Sequence, residues 1–199
     1  MKLTKIEPKF IKDHNPRIGL ITLASDFRIE KDFNDVIHGK DIDLYCNRIH
    51  CYNPLTNETL KKMADDIPKV TADILPDQKL DCVAYGCTSG TIAAGYSSIF
   101  EKINSAKPNT KVTTPITSAI NALKVLKINK LSIFTPYTDE INQSVINYFQ
   151  KENINITELS YFDIASDLDI GKVDPDYLLD VLAKKDLSNS DALFVSCTA

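Results

Sequence analysis

The chain has 199 residues, 43% hydrophobic and 25% charged, with a formal net charge of −4. That is the make-up of a globular protein with enough residues for one large or two small α/β domains. A mildly acidic chain with no basic cluster is not built for nucleic acid, and no apolar run approaches the roughly 18 residues of a membrane span.

Residues 1–16 are polar and punctuated by Pro8 and Pro16, which predicts a surface lead-in without the apolar core of a signal peptide. The five cysteines, an odd number, are expected as free thiols in a reducing cytosol, which makes the protein cytoplasmic. Arg17 to Leu23 reads as the first buried strand, followed by the loop Ala24-Ser-Asp-Phe-Arg-Ile-Glu30, whose small and polar residues are suited to face a ligand. A short helix is expected within 31–40, and Asp41 to Ile49 alternates like a half-buried strand. From Thr56 to Ile74, apolar residues recur at helical spacing, with Thr56 as N-cap and Pro68 kinking or splitting the helix. Asp81 to Tyr85 is too short and apolar for a helix and reads as a strand covered on both faces. A helix with Ile92, Tyr96, Ile99, Phe100 and Ile103 on one face should follow Cys87, then a short strand or crossover over 111–115.

The second half repeats the theme. A helix is expected over 116–126, a strand over 130–135, a helix capped by Thr138 or Asp139, and a strand over 155–162. Residues 163–173 read as a loop, Asp174-Pro175 as a helix start, and 191–196 as the last strand.

Two stretches share one layout. Asp81-Cys-Val-Ala-Tyr-Gly-Cys87-Thr88 and Asp191-Ala-Leu-Phe-Val-Ser-Cys197-Thr198 each run from an Asp through apolar residues to Cys-Thr, six residues from Asp to Cys. A weaker echo links Arg17 and Asp26 with Lys130 and Asp139, nine residues apart in both. The pattern predicts two similar α/β lobes, 1–115 carrying Cys87 and 116–199 carrying Cys197. In the first lobe a helix and a strand follow the cysteine. By that comparison the second lobe is expected to be truncated by roughly 40 residues.

A cysteine where a strand meets a helix N-terminus sits at the usual ligand position of an open α/β sheet, and the helix dipole is expected to lower its pKa. Two such sulfurs across a cleft suit cofactor-independent chemistry beside a carboxylate, one as nucleophile or base and the other as acid. Thr88 and Ser89 would stabilise the charge that develops on the carboxylate. The bland alternative is that both are small buried apolar residues. Cys46, His50 and Cys51 suggest a metal by proximity. However, positions 46 and 51 face opposite sides of a strand, and no second ligand pair exists, so none is expected. Arg48 is either an anion clamp or a surface residue.

The motifs Leu23-Ala-Ser-Asp-Phe-Arg-Ile-Glu30, Asn47-Arg-Ile49, Thr56-Asn-Glu-Thr-Leu60, Tyr85-Gly-Cys-Thr-Ser-Gly90, Thr135-Pro-Tyr137, Asp169-Ile-Gly-Lys-Val-Asp-Pro175 and Val195-Ser-Cys-Thr198 together resemble the aspartate/glutamate racemase superfamily. Within it they resemble the branch holding maleate cis-trans isomerase, arylmalonate decarboxylase and the ectoine-utilisation protein EutA. The resemblance implies an α/β fold of two pseudo-symmetric, flavodoxin-like parallel-sheet halves with the site between them. It implies that Cys87 and Cys197 are catalytic, that Tyr137 lies near the substrate carboxylate, and that Thr198 belongs to the site. Asp26 falls where the isomerase has a substrate-binding Asn, as in EutA, and Asp167 matches a second binding Asn. The decarboxylase branch lacks the first cysteine, which favours isomerisation or racemisation. The expected partner is a small carboxylic or amino acid, with no cofactor and no metal, and a homodimer or higher homo-oligomer is open. A non-catalytic carboxylate-binding module, an inactive partial product and an arylmalonate-type decarboxylase are the alternatives.

Overall fold

The computed structural model describes residues 1–11 and 14–197. The strands form two parallel sheets. In the first, β1 (Arg17–Leu23), β2 (Asp43–Ile49), β3 (Cys82–Tyr85) and β4 (Lys111–Thr113) lie in the order β2-β1-β3-β4. In the second, β5 (Lys130–Thr135), β6 (Asn155–Tyr161) and β7 (Ala192–Val195) lie in the order β6-β5-β7. The second order repeats the first three strands of the first, and both follow the flavodoxin-like arrangement. β1 and β5 are central in their sheets and almost wholly buried, which is why they read as continuous apolar runs.

The repeated Asp has a structural reason. Asp81 Oδ2 accepts the N–H of Arg17 at 2.7 Å, at the start of β1. Asp191 Oδ2 accepts the N–H groups of Asn129 and Lys130 at 3.0 and 2.8 Å, at the start of β5. At the other end, Gly86 N–H donates to Ile21 O and Ser196 N–H to Phe134 O, both at 2.8 Å. The strand preceding each cysteine is therefore braced at both ends against the central strand of its sheet. The weaker echo does not share a role. Asp26 accepts backbone N–H groups ahead of α1 (Ile29–Ile37), whereas Asp139 is the first residue of α7 (Asp139–Lys151).

Between β2 and β3 lie α2 (Asn57–Met63), capped by Thr56, a 3₁₀ turn over Ala64–Asp66, and α3 (Ile67–Ala72), with Pro68 in its first turn. The periodicity of 56–74 is thus split where proline requires. The segment after Cys87 also departs from a single helix. α4 (Thr88–Ala94) ends at Gly95, whose φ of +84° suits glycine, and α5 (Tyr96–Ala106) begins anew. α6 (Pro115–Val125) follows β4, with Thr114 and Thr117 in a capping box. The expected loop 163–173 contains α8 (Asp167–Ile170), a single turn capped by Ser166, and α9 (Pro175–Ala183) starts at the predicted proline. No helix among the described residues is long and apolar enough to cross a membrane.

One hydrophobic cluster runs through both halves, from Ile21, Leu60 and Val83 to Ile133, Val145 and Phe149. Polar bonds tie the halves at one end of the sheets. Asn57 N–H donates to Glu140 Oε1 at 2.9 Å, Ser144 Oγ to Asn57 Oδ1 at 3.1 Å, and Leu55 N–H to Ala165 O at 2.8 Å.

The brace on β5 predicts an acid response. The two backbone N–H groups hold the Asp191 carboxyl below its usual range. As pH falls, the unfolded chain takes up this proton first, near its ordinary value of about 3.9. Stability from this contact is therefore present above that value and lost as pH falls through the lower native one. Urea unfolding of Asp191→Asn between neutral and acid pH should show a flatter acid limb than the parent. An unchanged limb would remove Asp191 from the brace.

Candidate active site

Cys87 sits at the junction of β3 and α4 with extended backbone (φ −134°, ψ 112°). Its sulfur does what a serine or aspartate does at a helix N-cap, accepting the N–H of Gly90 at 3.2 Å. Ser89 Oγ is 3.8 Å from the sulfur, and Thr91 Oγ1 donates to the Cys87 carbonyl at 2.7 Å. Gly90 is needed here, because a Cβ at that position would fall 2.8 Å from both Cys87 Sγ and the Tyr85 hydroxyl.

The second lobe supplies facing groups. Cys197, with φ +98°, lies two residues past the end of β7 and is half-buried. Tyr137 is buried after β5, and its hydroxyl accepts from Ser196 Oγ at 3.3 Å. The charges of Cys197 and Cys87 both act on Tyr137, and the Cys197 sulfur is within its hydrogen-bonding reach. Cys197 also acts on Cys87 itself.

Asp167 opens α8 and reaches back to the first lobe through both backbone and side chain. Its N–H donates to Asn53 Oδ1 at 3.1 Å, and its Oδ2 accepts from Ser25 Oγ at 2.5 Å. Asp26, next to Ser25, accepts the N–H groups of Arg28 and Ile29 on Oδ1 at 2.7 and 2.9 Å. Arg48 is not an anion clamp. Its Nη1 donates to the carbonyls of Leu23, Ala24 and Asp26 at 3.3, 3.2 and 3.0 Å, and Nη2 pairs with Glu30 at 2.9 Å. Arg48 thus fixes the loop that presents Ser25 and Asp26.

The structure therefore brings together Cys87, Thr88, Ser89, Tyr137, Asp26, Asp167 and Cys197. Thr198 lies outside the described residues. Three further groups belong to the cluster and are not among the expected site residues, although two of them, Tyr85 and Ser196, lie inside the quoted motifs. Cys51 is buried, and Asp167, Ser25 and Cys197 all lie close enough to influence its thiol. The Tyr85 hydroxyl lies on the same side of Gly90 as the Cys87 sulfur, is buried and has no hydrogen-bond partner among the described residues, and Ser196 donates to Tyr137. Apolar neighbours made Tyr85 look like core, and no spacing rule joins position 51 to position 87. Cys197 lines two cavities, of about 260 and 430 Å³. Cys87, Asp26 and Asp167 line neither.

Burial sets the protonation of the cluster. It pushes the Cys87 thiol well up, and the Gly90 N–H and Ser89 hydroxyl, which pull the other way, do not offset it. The expected lowering by the helix start is outweighed, because removing a thiolate from water costs more than one N–H returns. Burial likewise raises Cys51 to about 12, raises Tyr85 and Tyr137, and raises the Asp167 carboxyl.

Two parallel sheets of like strand order, each ending a strand in a cysteine at one buried cluster, define a two-lobed α/β protein of the aspartate/glutamate racemase-like superfamily. The model of the arylmalonate decarboxylase family matches residues 54–199, and the chain belongs to that family. A maleate isomerase of Pseudomonas putida is 30% identical over 193 residues, covering 90% of this chain and 76% of the relative. The fold matches the maleate isomerase Iso of Pseudomonas putida S16 with a TM-score of 0.80 at 20% identity, covering 92% and 78% of the two chains. It matches a mutant Nocardia farcinica maleate cis-trans isomerase, solved with a covalently bound succinylcysteine intermediate, with a TM-score of 0.78 at 19% identity, covering 89% and 76%.

The burial of Cys87 predicts an order of thiol reactivity. In the native protein at mildly alkaline pH, iodoacetamide should label exposed Cys46 at least about tenfold faster than Cys87, read by peptide mass mapping. Equal rates would mean that the sulfur is open to solvent.

Proposed function

We propose that the protein is a cofactor-independent isomerase or racemase of a small carboxylic or amino acid, with Cys87 and Cys197 as its reacting groups. The lobes are taken as residues 1–115 and 116–199, with the acid held between them. The reading is carried by one observation. Two cysteines 110 residues apart in sequence, each just past the end of a strand in a different sheet, lie beside the buried Tyr137, and Cys197 is close enough to Cys87 to raise its thiol. The maleate isomerase relatives support this class of chemistry, and the succinylcysteine in one of them supports covalent addition by a cysteine.

For an unsaturated acid, the Cys87 thiolate forms a bond to one alkene carbon. The π pair moves to the neighbouring carbon and takes the proton of the Cys197 thiol. Rotation about the new single bond, return of that proton to Cys197 and cleavage of the S–C bond release the other geometric isomer. For a saturated acid, one thiolate removes the α-proton, the electron pair delocalises into the carboxylate, and the other thiol delivers a proton to the opposite face. In both routes the proposed role of the Thr88, Ser89 and Tyr137 hydroxyls is to hold the carboxylate as charge grows on it. Both routes also need the two cysteines to differ in protonation; burial holds the proton on Cys87, so its thiolate has to form once the acid is bound.

Folded Cys87→Ser and Cys197→Ser should each lose about 10² to 10⁴ in turnover, followed by proton NMR in deuterated water with maleate and small amino acids. Full turnover in either variant would remove that sulfur from the chemistry. A protein that binds the acids without deuterium uptake or isomerisation would be a binding module. Gly90→Ala, which crowds the Cys87 sulfur and the Tyr85 hydroxyl, should reduce kcat more than it raises KM and destabilise by about 1–3 kcal/mol, measured by urea unfolding beside the kinetics. Unchanged kcat would mean that the sulfur's position is not critical.

A further inference from the structure

Asp26 and Asp167 come from opposite lobes and are each 3% exposed; Ser25, the neighbour of Asp26, donates to Asp167 Oδ2 at 2.5 Å, and the Asp26 charge helps to raise the Asp167 carboxyl. Among the described residues neither has a salt-bridge partner. Oδ1 of Asp26 is occupied by the two N–H groups ahead of α1, whereas its Oδ2 is enclosed and has no hydrogen-bond partner. A buried carboxylate oxygen without a donor is costly, and such atoms are found where a ligand completes the set.

The surrounding charge balance has one sign. Cys51, Tyr85, Cys87, Tyr137 and Asp167 all become anionic when they ionise. The groups that act on them are one another, Cys197, Asp26 and nearby hydroxyl and N–H donors, with no lysine, arginine or histidine among the described residues. Arg48, on the adjoining strand, is turned to backbone carbonyls and Glu30. The chemistry proposed above needs a thiolate in this cluster, and the missing component is a cation.

We infer that Asp26 and Asp167 form a subsite for a primary ammonium group, so that the acid held between Cys87 and Cys197 is a zwitterionic amino acid and not a dianionic dicarboxylate. The inference rests on the small-acid isomerase or racemase reading. An ammonium group has three donors and no acceptor, which suits a pair of carboxylates with an unfilled oxygen. Its charge favours thiolate formation at Cys87, since an opposite charge within about 4–6 Å moves a pKa by about 1–3 units. A dicarboxylate would do the reverse, adding negative charge beside two buried carboxylates.

The test uses the whole chain, the variant Asp26→Asn, and two matched pairs of acids. Succinate differs from L-aspartate, and butyrate from L-2-aminobutyrate, only by the ammonium group. Asparagine keeps an oxygen for the cap ahead of α1 and removes the charge. Titration calorimetry should show the amine-bearing member of at least one pair binding the parent about tenfold or more tightly than its partner. Asp26→Asn should erase that preference while keeping the parent's far-UV spectrum. Equal or tighter binding of the amine-free acids, no binding by any of the four, or a preference unchanged in Asp26→Asn would overturn the inference. Deuterium exchange on the same samples separates the two readings. An ammonium preference with no exchange or turnover would leave the subsite standing and remove the enzyme. Cys87-dependent isomerisation of maleate without an ammonium preference would keep the enzyme and remove the subsite.

Discussion

Asp167 joins the two lobes and shapes the charge of the site at once. Its N–H is held by Asn53 and its carboxylate by Ser25, both from the first half, while its own turn, α8, belongs to the second. A carboxylate at this depth is tolerated only with partners, and leaving a buried polar group without one costs about 1–3 kcal/mol. The lobes therefore cannot separate here without exposing unmet polar groups, and the distance between the two strand-end cysteines depends on the same contact. Leu55 with Ala165 and Asn57 with Glu140 extend the seam to either side. The Arg48 guanidinium secures the loop from which Ser25 reaches across.

Two influences compete at Cys87, and their sizes decide its resting state. The Gly90 N–H favours a thiolate, as a helix start generally does. Enclosure disfavours it, and so do Asp167 and Cys197. One hydrogen bond to sulfur is weak beside the loss of hydration, so the neutral thiol wins. The Gly90 contact then serves mainly to aim the sulfur.

Much of this was legible in the sequence. The strands of both sheets follow from short apolar runs bounded by turn residues, and the doubled Asp-to-Cys spacing reflects a shared brace from Asp81 to Arg17 and from Asp191 to Lys130. Capping residues also carry through, since Thr56 and Thr114 each close a box with a threonine three residues on. What was not legible depends on tertiary placement. α8 is one turn, too short to show a period, and is held by its Ser166 cap and its contacts with the other lobe. The break at Gly95 leaves the apolar spacing of 92–103 intact and only redirects the axis. Cys51 and Tyr85 join the site because β2 and β3 flank β1, a fact of strand order that no local pattern holds.

A site whose sulfurs rest as thiols is also a protected one. Oxidation and alkylation both proceed through the thiolate, so a buried thiol with a raised pKa is slow toward either. The buried Cys51 and Cys87 can then share one cluster without cross-reacting readily, since disulfide chemistry also begins from a thiolate. The same enclosure that silences the empty site strengthens any charge brought into it, because an ion pair in low dielectric is several times stronger than in water. If the site works as proposed, the sign and position of the charges on the bound acid decide whether Cys87 ionises. Relatives sharing this scaffold can differ in reaction by changing a few charged or amide side chains around the sulfurs, while the two strand ends that carry them stay in place.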